Sequence, residues 1–414
     1  MTKNISSTKR FTPSIAPAPV YIWGCGFHSA LGDSHEQIHQ CLADGFSPDM
    51  QAGCGWLNDD FETVIGKATG RRPALPARLK HYDTGNNRLA LSALQQIEPQ
   101  IQRAIAQFGH ERVAVVIGTS TSGIADGETA MIEHLHNGQF PKPYHYSQQE
   151  LANAGQFIAD YFELKGPVYT ISTACSSSGR VFLSARRLLS AGIVDAVIVG
   201  GADSLCRLTL NGFHGLEALS GTLCNPFSVN RKGINIGEAA AFMLLSQETA
   251  PDIEPSLPAI ALLGAGDSSD AHHISAPHPE GNGAEVAMRK ALESAQLSTD
   301  DIGYINAHGT ATPLNDEMEA KAISRVFGLR TPVSSTKPLT GHTLGAASAV
   351  EAAICWHVLR YRLPLPHQVN DGESDALPIT LATPGMALNN KAVLSNSFAF
   401  GGNNISLIFG YVND

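Results

Sequence analysis

Tyr169-Thr170-Ile171-Ser172-Thr173-Ala174-Cys175-Ser176-Ser177-Ser178-Gly179 is the stretch on which the fold of this chain turns. An apolar, β-prone run at 166–171 leads into it, and a helical pattern of Val181, Leu183, Ala185, Leu188 and Leu189 leads out. A cysteine at such a strand-to-helix junction points its sulfur at the helix N-terminus. The unpaired amides and macrodipole there favour the thiolate, which is the nucleophile an acyl transfer needs. Taken alone, Cys175 reads more readily as a small buried apolar residue, the fate of most free cysteines.

Two later segments add weight. Tyr304-Ile305-Asn306-Ala307-His308-Gly309-Thr310-Ala311-Thr312-Pro313 reads as an apolar strand ending in a His within a Gly/Thr-rich turn. Ser334-Ser335-Thr336-Lys337-Pro338-Leu339-Thr340-Gly341-His342 reads as a strand and a turn, with a small-residue helix opening just beyond. In a chain with sixteen histidines, either could be a loop or capping residue. Strand ends and helix starts are where α/β proteins collect their site residues. One Cys and two His in three such places make an acyl-transfer constellation.

Outward from these motifs, strand-like runs at 20–23, 113–117, 194–199, 240–245, 302–305 and 392–395 alternate with helical patterns at 87–96, 180–190, 284–295 and 346–360. This predicts helices covering a mostly buried sheet. A weak internal repeat relates 113–118, 170–189 and 194–201 to 302–309, 333–359 and 392–402. The Pro-rich stretch 251–258 reads as a linker. The expected divisions are an N-terminal extension at 1–19, an N-terminal half at 20–250 with the Cys, and a C-terminal half at 259–414 with the His residues. At 414 residues a large core is available. A net charge of −10 argues against a general nucleic-acid binder. Seven scattered cysteines without a CxxC pair suggest free thiols in a reduced, cytoplasmic protein. Residues 1–19 lack the apolar core of a secretory signal, and no apolar run reaches membrane-spanning length.

With these words on the page, the chain resembles a β-ketoacyl-acyl-carrier-protein synthase of the I/II class, a condensing enzyme of fatty-acid and polyketide synthesis. The matching words are Thr173-Ala174-Cys175-Ser176-Ser177-Ser178-Gly179, Asn306-Ala307-His308-Gly309-Thr310 and Lys337-Pro338-Leu339-Thr340-Gly341-His342. Asn225-Pro226-Phe227-Ser228 leading to Gly237-Glu238-Ala239-Ala240, and Asn396-Ser397-Phe398-Ala399-Phe400-Gly401-Gly402-Asn403-Asn404, complete the set in family order. The resemblance implies the α/β thiolase fold, two βαβαβαββ halves stacked as α-β-α-β-α layers, and neither cofactor nor metal. It implies that Cys175 is acylated and that His308 and His342 donate hydrogen bonds during decarboxylation and condensation. A Cys-His-His set marks the elongating synthases of the family. Lys337 would pair with a buried acid, Glu351 or Glu319. The backbone N–H groups of Cys175 and Phe400 would form an oxyanion hole, with Phe400 also a gate. Thr310, Thr312 and Phe398 would contact the substrate arm.

The family usually has Gly-Gly-Thr-Asn where this chain has Gly401-Gly402-Asn403-Asn404, and Gly24-Cys25-Gly26-Phe27-His28-Ser29 replaces a more apolar segment. The implied partners are an acidic acyl carrier protein and a second subunit, either another copy or a chain-length-factor homologue. Docking candidates are the basic residues Arg71, Arg72, Arg78, Lys80 and Arg207. Interface candidates are the run after Gly166 and the Val194 segment. The rival readings are a thiolase or initiating synthase using coenzyme A esters, and a non-catalytic chain-length partner. The His342 motif and the lack of a second cysteine near Gly401 oppose the first, and retention of Cys175, His308, His342 and Lys337 opposes the second.

Overall fold

The computed structural model describes residues 18–251, 258–373 and 376–412. The extension read at 1–19 and the linker read at 251–258 fall almost wholly outside them. The main strands are β1 Val20–His28, β2 Val113–Gly118, β3 Val168–Ile171, β4 Ala196–Asp203, β5 Ala239–Ser246, β6 Ile260–Ser269, β7 Ile302–Asn306, β8 Pro332–Ser334, β9 Ala392–Ala399 and β10 Asn403–Tyr411. They run in the order β3-β2-β4-β5-β1-β6-β10-β9-β7-β8, with Thr380–Leu381 beyond β8. Each set of five repeats one plan. The first three strands are mutually parallel, and the last two run antiparallel to their neighbours. The repeat read from the sequence pairs the same strands, β2 with β7, β3 with β8 and β4 with β9. The two sets meet where Val20 and Tyr21 lie opposite Leu262 and Ala261.

Three apolar cores separate the layers. One joins the outer helix α1 Gly85–Leu94 and its neighbours to one face of the first sheet half. Another joins α3 Asn282–Ala295 and α4 Pro313–Phe327 to the outer face of the second. Between them, α2 Ser177–Ser190 and α5 Ala347–Tyr361 share a core with strands of both halves. The composition of α5 dictates that place. Thirteen of its residues, Ala347 to Leu359, are buried, as expected of a helix apolar on every side. The result is the thiolase fold, helix layers alternating with sheet layers.

The sequence reading ended β1 at Trp23 and had no strand at 260–269. Glycine is the reason, since it weakens a strand signal. A Cβ on Gly26 would overlap the carbonyl of Ala93 in α1, and one on Gly266 would overlap that of Ala287 in α3. These glycines let a helix lie close on the strand, at corresponding places in the two halves. The Val194 segment is corrected as an interface candidate. It leads into β4, which lies between β2 and β5 and is buried along its whole length. The run after Gly166 becomes β3, which is one of the two edge strands of the sheet.

Close packing at the end of β2 gives a test. A Cβ on Gly118 would overlap the backbone of Ser177 and Ser178 at the start of α2. Gly118→Ala should therefore cost about 1–3 kcal/mol in urea unfolding. Gly212→Ala, in the helix Arg207–Gly215 with no atom within 4 Å of the new methyl, should add roughly 0.5–1 kcal/mol through helix propensity.

Candidate active site

β3 delivers the chain to a tight turn in which Ala174 takes φ 53°, a conformation that costs an L-residue about 1–2 kcal/mol. The turn is held by Ser177 Oγ, which accepts from the Thr173 N–H (2.8 Å) and donates to the Ala174 carbonyl (2.5 Å). Cys175 follows at the head of α2 and is buried. His342 comes from the opposite half, in the loop before α5. Its backbone pairs with the segment around Ile236, through a bond to the Asn235 carbonyl (2.7 Å) and one from Gly237 (3.0 Å). His308 lies just past the end of β7.

The hydrogen bonds fix the chemistry of both rings. The Leu344 N–H donates to Nδ1 of His342 (3.0 Å). A neutral ring must then carry its proton on Nε2, which stands 3.0 Å from Cys175 Sγ. Nδ1 of His308 faces the Lys337 ammonium at 3.4 Å. An ammonium only donates, so His308 also keeps its proton on Nε2. Burial, and then the charge of Lys337, holds His342 down to about 3 and His308 well below the ordinary imidazole range. Both are neutral N–H donors at any working pH. The ring centres lie 5.6 Å apart, nearly perpendicular.

Burial pushes the Cys175 thiol up to about 11, against the opposing pull of Lys337 and of the backbone N–H groups of Phe400 and Cys175. The sequence reading expected the helix start to favour the thiolate. Those donors do favour it, but in the free protein desolvation outweighs them.

Lys337 bonds Glu351, and also the His308 carbonyl. Of the two acids considered for it, Glu351 is the partner. The other Glu351 oxygen accepts from Ser397 Oγ (3.0 Å). Glu319 does a different task, accepting the N–H groups of His308 (2.8 Å) and Gly309 (2.7 Å). Burial raises its carboxyl to about 7. Sequence reasoning missed Asp316, one turn before Glu319 on α4. It accepts the N–H groups of Phe227 (2.8 Å) and Ala311 (3.1 Å), tying the Asn225-Pro226-Phe227-Ser228 word to the His308 loop. Its signal was the three-residue spacing of two acids facing one loop.

Cys175, His308, His342, Thr310, Thr312, Phe398 and Phe400 line one small cavity. Thr310 and Thr312 hydroxyls lie 3.0 Å apart. Phe400 sits in the turn from β9 to β10, where Gly401 (φ 80°) and Gly402 (φ 75°) take conformations that glycine alone accepts easily. Phe213 was not foreseen. Its ring lies 5.8 Å from that of Phe400 and 6.5 Å from that of His342, and its helix is far in sequence from both. The Cys175, His308 and His342 ligand atoms lie within 4.8 Å of one another, a spacing a metal could use. The protons on both Nε2 atoms, and Lys337 behind them, oppose a cation there.

The docking candidates divide. Arg72 is committed to Glu238, and Arg78 to the carbonyls of Asp160 and Tyr161. Arg207 is held by the Gly55 carbonyl and Asn58. Arg71 and Lys80 are exposed.

Family profiles match the chain along most of its length: the β-ketoacyl synthase N-terminal domain at residues 18–250 and the C-terminal domain at 260–370. The chain belongs to the β-ketoacyl synthase family. Over 412 residues it is 30% identical to a 3-oxoacyl-[acyl-carrier-protein] synthase 2 of Coxiella burnetii, covering 95% of this chain and 99% of that one. It is 36% identical to nodulation protein E of Rhizobium leguminosarum bv. trifolii over 63% of this chain and 65% of that protein's length. Among solved structures, a ketosynthase from Xenorhabdus doucetiae in complex with its chain length factor is 47% identical, with a TM-score of 0.89, covering 99% of this chain and 100% of that one. A β-ketoacyl synthase from Burkholderia phymatum is 27% identical, with a TM-score of 0.82, covering 96% and 100%. Among the described residues no helix is long and apolar enough to cross a membrane.

Within this β-ketoacyl synthase framework the protonation states can be measured. Alkylation of Cys175 by iodoacetamide should rise about tenfold per pH unit from pH 7 to 9, because the thiolate fraction grows all the way to the raised pKa. A plateau below pH 8 would contradict that order. Lys337→Met should cost about 3–5 kcal/mol in denaturant unfolding, since it leaves the Glu351 carboxylate buried and unpaired. Adding Glu351→Gln should recover part of the loss.

Proposed function

We propose that this chain performs a decarboxylative Claisen condensation, joining an acyl group held on Cys175 to a malonyl group carried by acyl carrier protein. The product is a β-ketoacyl-acyl carrier protein, in fatty-acid or polyketide synthesis, polyene and aryl polyene synthesis included. The observation that carries the reading is the pair of Nε2–H groups from His308 and His342, converging with the Cys175 sulfur in one buried cavity.

Cys175 sulfur attacks the acyl thioester carbonyl, and the N–H groups of Cys175 and Phe400 receive the oxyanion. The carrier's pantetheine thiol leaves with the proton that Cys175 loses. The malonyl thioester then loses CO₂, and the electron pair of the broken C–C bond forms an enolate. Its oxygen takes hydrogen bonds from His308 and His342, donors already aimed and unable to lose their tautomer. The enolate carbon attacks the acyl-Cys175 carbonyl, forming the new C–C bond and expelling the Cys175 thiolate. Thr310 and Thr312 suit hydrogen bonds to the substrate arm, and Phe398 an apolar contact with it.

The Xenorhabdus ketosynthase was solved with a chain length factor. That likeness favours a heterodimer with such a homologue over a homodimer. The free edge of β3 supports a second subunit paired along it, and the exposed Met131, Ile132 and Leu135 on the helix Ile124–Asn137 are apolar surface a partner could cover. The seven cysteines are all free, which fits the reducing cytoplasm.

Intact-mass analysis after incubation with acyl-acyl carrier protein should place one acyl adduct on Cys175 and none in Cys175→Ala. His308→Ala and His342→Ala should each lower condensation on the order of 10²-fold or more, with acylation spared. Normal malonyl turnover in both variants defeats the assignment. Light scattering of the chain alone and with a chain-length-factor homologue separates homodimer from heterodimer.

A further inference from the structure

Asp203 ends β4 and is fully buried, with no cation bonded to it among the described residues. Its Oδ1 accepts from the Ser120 N–H (2.8 Å), the Thr121 N–H (2.7 Å) and the hydroxyls of Thr119 and Thr121 (2.7 Å each). Its Oδ2 accepts from the Ala346 N–H (2.9 Å). Three of these partners are backbone N–H groups, which can only donate; the Thr119 hydroxyl shares its one proton between Asp203 and the Ala202 carbonyl (2.9 Å). Four of these bonds fasten the turn after β2. The fifth reaches across to the other half and holds the last residue of the Leu344–Ala346 turn.

That turn supplies the N–H that selects the His342 tautomer. It is held against its own preference, because Leu344 takes φ 54°. It also lies directly on the clamped segment, where a Cβ on Gly345 would come within 2.8 Å of the Ser120 nitrogen. We propose that Asp203 is a positioning residue for His342: by pinning the Leu344–Ala346 turn it keeps the Leu344 N–H on Nδ1 and so keeps the Nε2–H aimed at Cys175. The charged and titratable groups around this imidazole are Cys175 at the head of α2, His308 beyond β7, and Lys337 with its partner Glu351 from α5. None of them would replace the lost N–H on Nδ1.

The inference rests on the reading of His342 as a hydrogen-bond donor in the malonyl half-reaction. Three variants test it: Asp203→Asn, Ala346→Pro and His342→Ala. Ala346 has φ −79° at the helix N-cap, which suits proline; the change removes the N–H that Asp203 accepts, together with its bond to the Thr343 carbonyl. Acylation of Cys175 and decarboxylation of malonyl-acyl carrier protein are measured separately, from pH 5 to 9. Asp203→Asn and Ala346→Pro should each slow decarboxylation about 10- to 100-fold, with acylation changed less than about twofold by comparison. His342 should stay neutral in both variants across this range, because burial and the Lys337 charge still hold it down. A merely structural role would lower both half-reactions together; that result overturns the proposal, as does unchanged decarboxylation. If Asp203→Asn does not fold, Ala346→Pro alone decides. If His342→Ala itself leaves decarboxylation intact, the reading of His342 has failed rather than the clamp.

Discussion

The buried Lys337 ammonium is the group on which the site depends. Its charge lies between the Glu351 carboxylate, the His308 carbonyl and the His308 ring. Such a pair is costly to desolvate, and the low-dielectric attraction offsets that cost only when its geometry is complete. Here the completeness has a chemical use. The ammonium anchors α5 to the His308 loop, sets the tautomer of His308, and adds to burial in keeping both imidazoles neutral. A cation placed behind two histidines turns them from bases into donors.

The twofold plan of the sheet is used asymmetrically. β3 leads through a strained turn to Cys175 and α2; β8 leads through Lys337 and His342 to α5. The two units occupy matching places in the strand order, so their helix starts face each other across the middle layer. Ala349 N–H donates to Ser178 Oγ there (2.9 Å). One copy supplies the nucleophile and the other a donor for the charge the reaction develops. A site at such a junction is buried because it lies in the middle layer, between the two halves of the sheet.

Much of this was legible in the sequence wherever chemistry and backbone signal coincided. Cys175, His308 and His342 sit at strand ends and helix starts, and the structure brings them into one cavity. The legible strands were those rich in Val and Ile, such as β2 and β4. β6 and the second half of β1 were hidden by glycines whose purpose is contact with a helix distant in sequence. Lys337 was visible, but the choice between Glu351 and Glu319 was not, because it depends on which face of two different helices turns inward. Phe213 and Asp203 left no local signal. Their partners lie far off along the chain, at Phe400 and His342 and at Thr119 and Ala346.

The place of β1 has a consequence for synthesis on the ribosome. It sits mid-sheet, yet its partners β5 and β6 begin about two hundred residues later in the chain. At roughly 5–20 residues per second, a buried strand with both edges bare waits on the order of ten to forty seconds for its first partner. Unpaired edges of this kind invite association with other chains. The nascent protein therefore passes through an interval in which this strand depends on shielding from outside the fold.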